Sequence, residues 1–170
     1  TDGTIKAALV LQIADGWHLY HTELGPPDAI GKPTVVTMAA AGAAWSAPVF
    51  PAPKRLEQPG LGDDGKDTWI WGHEGRVVVR IEGTLTPPAK GDDVAATISG
   101  LTCLDDGMCV PYRAQLVSEG AGDDALFAAS APAPGNSPGG AAGDTAKAAA
   151  ALSGEQLGLA QFLLLAVAGG

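Results

Sequence analysis

Cysteine is nearly absent from this chain. Cys103 and Cys109 are the only two among 170 residues, so a structural zinc site would have to recruit histidines. Basic residues are also few, ten Lys and Arg against nineteen Asp and Glu, for a net charge of −9 with no basic cluster. That excludes nucleic acid as a partner, because binding it needs a cationic patch to displace counterions. Before residue 128 no long stretch carries an apolar stripe of helical period. From Ala128 to Ser153 there is no aromatic and no β-branched aliphatic residue, only a run dominated by Ala, Gly, Pro and Ser. Such a run cannot bury enough apolar surface to offset the entropy of ordering it, so 128–153 reads as a low-complexity linker.

All four Trp and both Tyr precede that linker, which predicts a single core within residues 1–127. Alternation with period two dominates there. In Thr4–Ile13, residues Ile5, Ala7, Leu9, Leu11 and Ile13 fall on one face, with Lys6 and Gln12 on the other. In Arg76–Leu85, Val77, Val79, Ile81 and Leu85 alternate with Arg80, Glu82 and Thr84. Pro33–Met38, Val94–Leu101 and Cys109–Ser118 read as further strands. Turn chemistry separates them at Gly25-Pro26-Pro27, Pro51–Pro53, Gly60–Gly65, Pro87-Pro88 and Gly91-Asp92-Asp93. The expectation is an all-β, immunoglobulin-like antiparallel sandwich. After the linker, 154–170 ends in an apolar run, Leu157–Gly170, interrupted only by Gln161. It is shorter than the roughly 20 residues that span a bilayer. It reads either as a terminal helix docked on the domain or, preferred after a linker, as the start of a transmembrane helix.

Asp105-Asp106-Gly107 is turn-forming, so Cys103 and Cys109 sit at the two ends of a predicted hairpin connection. Cross-strand partners in such a hairpin approach within disulfide range. A bond there closes a ring of about seven residues, which stabilises by only about 2.4 kcal/mol on chain-entropy grounds. The spacing leaves open whether the pair is a structural staple or a reactive couple, since it is not the C-x-x-C redox motif. His18, His21 and His73 show no ligand-like spacing to the pair, so no metal or other cofactor is assigned. Met108 beside Cys109 keeps a Cu(I) site in play, as thiolate and thioether are soft ligands.

Four segments, in order, resemble the N-terminal domain of the thiol:disulfide interchange protein DsbD family, including its copper-sensitivity suppressor relatives. They are Asp15-Gly16-Trp17-His18-Leu19-Tyr20; Trp69-Ile70-Trp71-Gly72; Gly100-Leu101-Thr102-Cys103 with Cys109-Val110-Pro111; and Leu157–Gly170. Where the family's loop commonly reads Phe/Tyr-Tyr-Gly, this chain has Trp-Ile-Trp-Gly.

The resemblance implies an immunoglobulin-like redox domain at the periplasmic face of the bacterial inner membrane. It implies that the domain takes electrons from membrane-embedded and thioredoxin-like domains of the same parent protein. It implies delivery of those electrons to periplasmic thioredoxin-fold partners, disulfide isomerases or cytochrome c maturation proteins. Under it, Cys109 bonds to partners and Cys103 resolves, while Trp69, Ile70, Trp71 and Gly72 form a cap loop over the pair. Tyr20, Asp105, Asp106, Met108 and Pro111 are its neighbours. The two aspartates would disfavour a thiolate, with Arg113 the only cation close by in sequence. A non-catalytic binding module with a structural disulfide and a periplasmic copper-binding domain are the competing readings.

Overall fold

The computed structural model describes residues 3–86, 94–105, 107–121, 124–127 and 160–169. The expected linker 128–153, the turns at Pro87-Pro88 and Gly91-Asp92-Asp93, and Asp106 lie outside the described residues.

The fold is all-β and immunoglobulin-like, built from two antiparallel layers. One layer contains β1 (Gly3–Ile13), β7 (Arg76–Leu85) and β4 (Ala43–Trp45), with β1 and β4 on either side of β7. The other contains β5 (Lys54–Gln58), β6 (Thr68–His73), β2 (Trp17–Tyr20), β8 (Ala95–Leu104) and β9 (Cys109–Ala121), hydrogen-bonded in that order. β3 (Val35–Ala39) pairs with the first half of β8, where β2 pairs with its end. Of the strands read from sequence, Arg76–Leu85 is present as expected and the others with shifted ends. β2, β4, β5 and β6 are additional; they are three to six residues long and carry too few alternations to stand out.

The alternation sorts the side chains as expected. Ile5, Leu9, Leu11 and Ile13 on β1, Val77, Val79 and Ile81 on β7, Leu19 on β2, and Ala96 and Ile98 on β8 form one buried cluster between the layers. Ala8 and Val10 on the other face of β1 are buried as well. A short helix, α1 (Asp124–Phe127), packs there, and Arg80 Nε, opposite Ala8 in the register, donates to the Leu126 carbonyl at 2.7 Å.

In place of the expected helix start, Ala160–Gly169 runs as a strand, β10, antiparallel to β1 from Ile5↔Gly169 to Ile13↔Ala160 and parallel to β9. An uncharged apolar run of this length satisfies a buried strand as well as a helix, and periodicity does not separate the two. The unpaired edge of β1 supplies the backbone partners. No helix among the described residues is long and apolar enough to cross a membrane.

Candidate redox site

The hairpin β8–β9 brings Cys103 and Cys109 into direct register, and they are bonded, with S–S 2.05 Å and Cα–Cα 4.0 Å. Three backbone hydrogen bonds shape the connection: Leu104 N–H to Met108 O, Gly107 N–H to Leu104 O, and Asp105 N–H to Gly16 O. The last ties the hairpin tip to the turn before β2. Gly107 adopts φ 97°, a left-handed backbone open to glycine at little cost.

Strand parity decides what surrounds the sulfurs. On β8 the even positions Ala96 and Ile98 face the sandwich core, so the odd position Cys103 faces the outside of its sheet. Outside the sheet there is a second, smaller apolar cluster. Tyr20, Ile70 and Cys103 are buried in it, with Leu24, Ala29, Leu56 and Leu101 packed around them. Cys103 is 2 % exposed, whereas Cys109 is exposed at the tip. The two halves of one disulfide therefore sit in different environments.

Tyr20 is the polar contact to the buried sulfur. Its hydroxyl lies 3.2 Å from Cys103 Sγ and accepts a hydrogen bond from Gln58 Nε2 at 3.1 Å. With Gln58 donating to the oxygen, the Tyr20 proton is free to point at the sulfur. Burial pushes the Tyr20 phenol up, partly offset by the Gln58 bond. Thr34 fixes the strand end behind it: its hydroxyl donates to the Tyr20 carbonyl and accepts from the Tyr112 hydroxyl at 2.8 Å. Burial holds the Tyr112 phenol up at about 12.

A cleft of about 530 Å³ opens onto the disulfide. His18, Tyr20, Cys103 and Cys109 line it together with Arg55, Leu56, Glu57 and Gln58 of β5, Pro59 and Leu61. Arg55 is among the lining residues, but its side chain lies on the Trp69 face of β5 and β6, away from Cys103. Arg113, the cation expected from sequence, sits opposite Ser99, well down β9 from the tip. Arg55 is held by Glu57 at 2.9 Å and lies 4.9 Å above the Trp69 ring.

The expected cap loop is corrected. Trp69, Ile70, Trp71 and Gly72 belong to β6, paired along their length by β5, with β2 joining only at Gly72 and His73. Ile70 packs beneath Tyr20 and Cys103, fully buried. Trp69 and Trp71 project from the opposite face of the strand, edge to face with ring centroids 4.8 Å apart. A run of aromatics satisfies a strand as readily as a loop, and here the backbone hydrogen bonds decide. Gly72 serves close packing rather than opening: a Cβ there would lie 2.5 Å from Leu56 Cδ1 and 3.0 Å from the Leu19 carbonyl.

Of the other expected neighbours, Asp105 is exposed on the tip, with Oδ1 3.5 Å from His18 Nδ1. Met108, 53 % exposed, and Pro111 lie on the solvent side. Gln58 escaped the sequence reading, and His18 was weighed there only as a metal ligand. His18 had a signal, since it stands two residues from Tyr20 on one strand and so shares its face. Gln58 reaches the site only through the pairing of β5. His21 and His73 sit elsewhere, as a hydrogen-bonded pair with Nδ1···Nε2 2.9 Å beside Phe50. Among the described residues no three of His, Cys, Asp or Glu gather as a metal site.

Residues 1–121 match the family described as thiol:disulfide interchange protein DsbD, N-terminal. No curated protein matches the chain. Among solved structures it is similar to the reduced N-terminal domain of DsbD from Neisseria meningitidis, at 15 % identity and TM-score 0.43, covering 68 % of this chain and 82 % of that one. It is also similar to the N-terminal periplasmic domain of ScsB from Proteus mirabilis, at 20 % identity and TM-score 0.44, covering 67 % of this chain and 40 % of that one.

Proposed function

We propose, from the premise that the chain belongs to the family of DsbD N-terminal domains, that its cysteine pair relays electrons between a membrane-bound reductase and periplasmic protein disulfides. Thiol–disulfide exchange is the chemistry the family and the bonded pair share. The direction of electron flow, the periplasmic site and the thioredoxin-fold partners belong to this proposal. The observation that carries it is the asymmetry of the disulfide: Cys109 is exposed at a hairpin tip while Cys103 is buried beside a tyrosine hydroxyl.

An exchange carrier needs that asymmetry. One sulfur must reach a partner's disulfide, and the other must wait, shielded, to resolve the mixed disulfide. Cys109 is the attacking and partner-bonded residue, and Cys103 is the resolver. Gln58, Pro59 and Leu61 line the same cleft as the pair, and Ile70 of the expected cap segment packs against Cys103. A staple between two strands already joined in a tight hairpin adds little, about 2.4 kcal/mol, which favours the reactive reading over a structural one.

The test is Cys103→Ala. With its resolver gone, Cys109 should accumulate as a covalent complex with an oxidised periplasmic thioredoxin-fold protein, visible on non-reducing gels and cleared by dithiothreitol. Cys109→Ala should trap nothing. If neither variant forms a complex with any such protein, the domain is a binding module with a structural bond.

A further inference from the structure

His18 is the polar group at this site that the exchange chemistry above leaves without a task. It is 8 % exposed, and both ring nitrogens are buried with no hydrogen-bond partner. An unsatisfied buried ring costs free energy that a purely structural residue would not be expected to carry. Its position is specific. His18 is the direct cross-strand partner of Cys103, so the two side chains share one face of the sheet, and both line the cleft that holds the disulfide. Asp105 Oδ1 stands 3.5 Å from Nδ1, an ion-pair distance rather than a hydrogen bond. A carboxylate on that side favours the tautomer protonated at Nδ1 and leaves the Nε2 lone pair free.

We propose that His18 is a catalytic residue, the proton carrier for the resolving cysteine, oriented by Asp105. The proposal rests on the exchange reading and adds a residue to it. In the first step Cys109 thiolate, its proton lost to solvent, attacks a partner's protein disulfide. That disulfide breaks, and one partner sulfur leaves as a thiolate and is protonated by solvent. In the second step the Cys103 thiol gives its proton to His18 Nε2, and its sulfur attacks Cys109 Sγ. The bond from Cys109 to the remaining partner sulfur breaks, and that leaving thiolate takes the proton back from His18. The two domain sulfurs are oxidised by two electrons and the partner disulfide is reduced by two. A base beside a buried thiol is what lets that thiol act as a nucleophile.

The other titratable and charged groups on the cleft are Tyr20 on the same strand, Arg55 and Glu57 on β5, and Glu74 after β6. Arg55 is engaged by Glu57, and Glu74 by Lys54 at 2.8 Å. Tyr20 is a hydrogen-bond donor to Cys103, with its phenol pushed up by burial, and so is a poor base near neutrality.

The experiment mixes the reduced chain with oxidised glutathione from pH 5 to pH 9, quenches with acid, and counts dithiol, glutathionyl mixed disulfide and closed disulfide by mass. For His18→Gln, formation of the mixed disulfide should stay within about twofold of wild type. Ring closure should slow by about 100-fold at and below neutrality, the lower end for proton transfer by a positioned group. The deficit should vanish at alkaline pH, where the thiol ionises unaided. Asp105→Asn, at an exposed position and so harmless to folding, should slow closure by about tenfold with the same pH dependence. Closure at the wild-type rate and pH profile in both variants overturns the role of His18, and so does a wild-type profile in Asp105→Asn alone if His18→Gln does not fold. A wild-type chain that forms neither mixed nor closed disulfide overturns the exchange reading itself, a result distinct from the other two.

Discussion

Acidification should destabilise this domain through His73, and the size of the effect follows from its burial. The ring is 5 % exposed, stacks on Phe50 at 5.7 Å and shares a 2.9 Å hydrogen bond with His21. Loss of hydration, reinforced by repulsion from His21, lowers His73 from 6.5 to about 4. Above pH 6.5 the ring is neutral whether the chain is folded or not, so it contributes no pH dependence. Between 6.5 and about 4 the unfolded chain takes up a proton that the folded chain refuses, so stability falls as pH falls. Below 4 the folded state is protonated too and the loss is complete. At 1.36 kcal/mol per pH unit the full loss is about 3 kcal/mol, a large part of the roughly 5–15 kcal/mol that holds a small domain together.

His21 is lowered by its own burial and adds in the same direction. Once both rings are charged, neither can accept the hydrogen bond that joins them. Thermal unfolding followed by circular dichroism at constant ionic strength, from pH 7 to pH 4, should show a fall of roughly 10 °C from this source. The comparison with His73→Phe isolates it from carboxylates that titrate nearby. Phenylalanine keeps the stacking and removes the proton site, so the variant's profile should be flatter by up to one proton. Parallel losses in the two proteins would mean that His73 charges freely in the fold, and the burial argument would be wrong.

Two further outcomes follow from the packing around Tyr20. Tyr20→Phe removes the hydroxyl that joins Cys103 Sγ and Gln58 Nε2; urea denaturation should show a loss of about 1–2 kcal/mol, and unchanged stability would deny that the network is formed. Gly31→Ala places a Cβ 2.1 Å from Tyr20 Cε1, so the ring or the β2–β3 connection must move. A loss of about 1–3 kcal/mol with an altered near-ultraviolet spectrum is expected, and an unperturbed spectrum would contradict the contact.

The long strands were legible because each carries four or more alternations, enough to separate an inner from an outer face. β1 and β7 follow their patterns residue by residue. The hairpin at Cys103 and Cys109 was legible from its turn residues, although Asp106 lies outside the described residues. The segment expected as a loop is a strand for a physical reason. Trp69–Gly72 carries the aromatic signal of a covering loop, but aromatic and β-forming residues are the same residues, and pairing with β5 along its length makes the segment a strand. Gln58, Pro59 and Leu61, which line the cleft with the pair, have no pattern of their own.

From sequence alone came the β class, the core face of β1 and β7, and the closeness of the two sulfurs, because each depends on neighbours a few positions apart. Tertiary structure decided which sulfur is buried, which tyrosine touches it, and that His18 rather than a tryptophan shares its face. Those properties depend on which strands lie side by side, and residues 83 or 84 apart in the chain, Tyr20 with Cys103 and His18 with Thr102, meet only after the sheet is assembled.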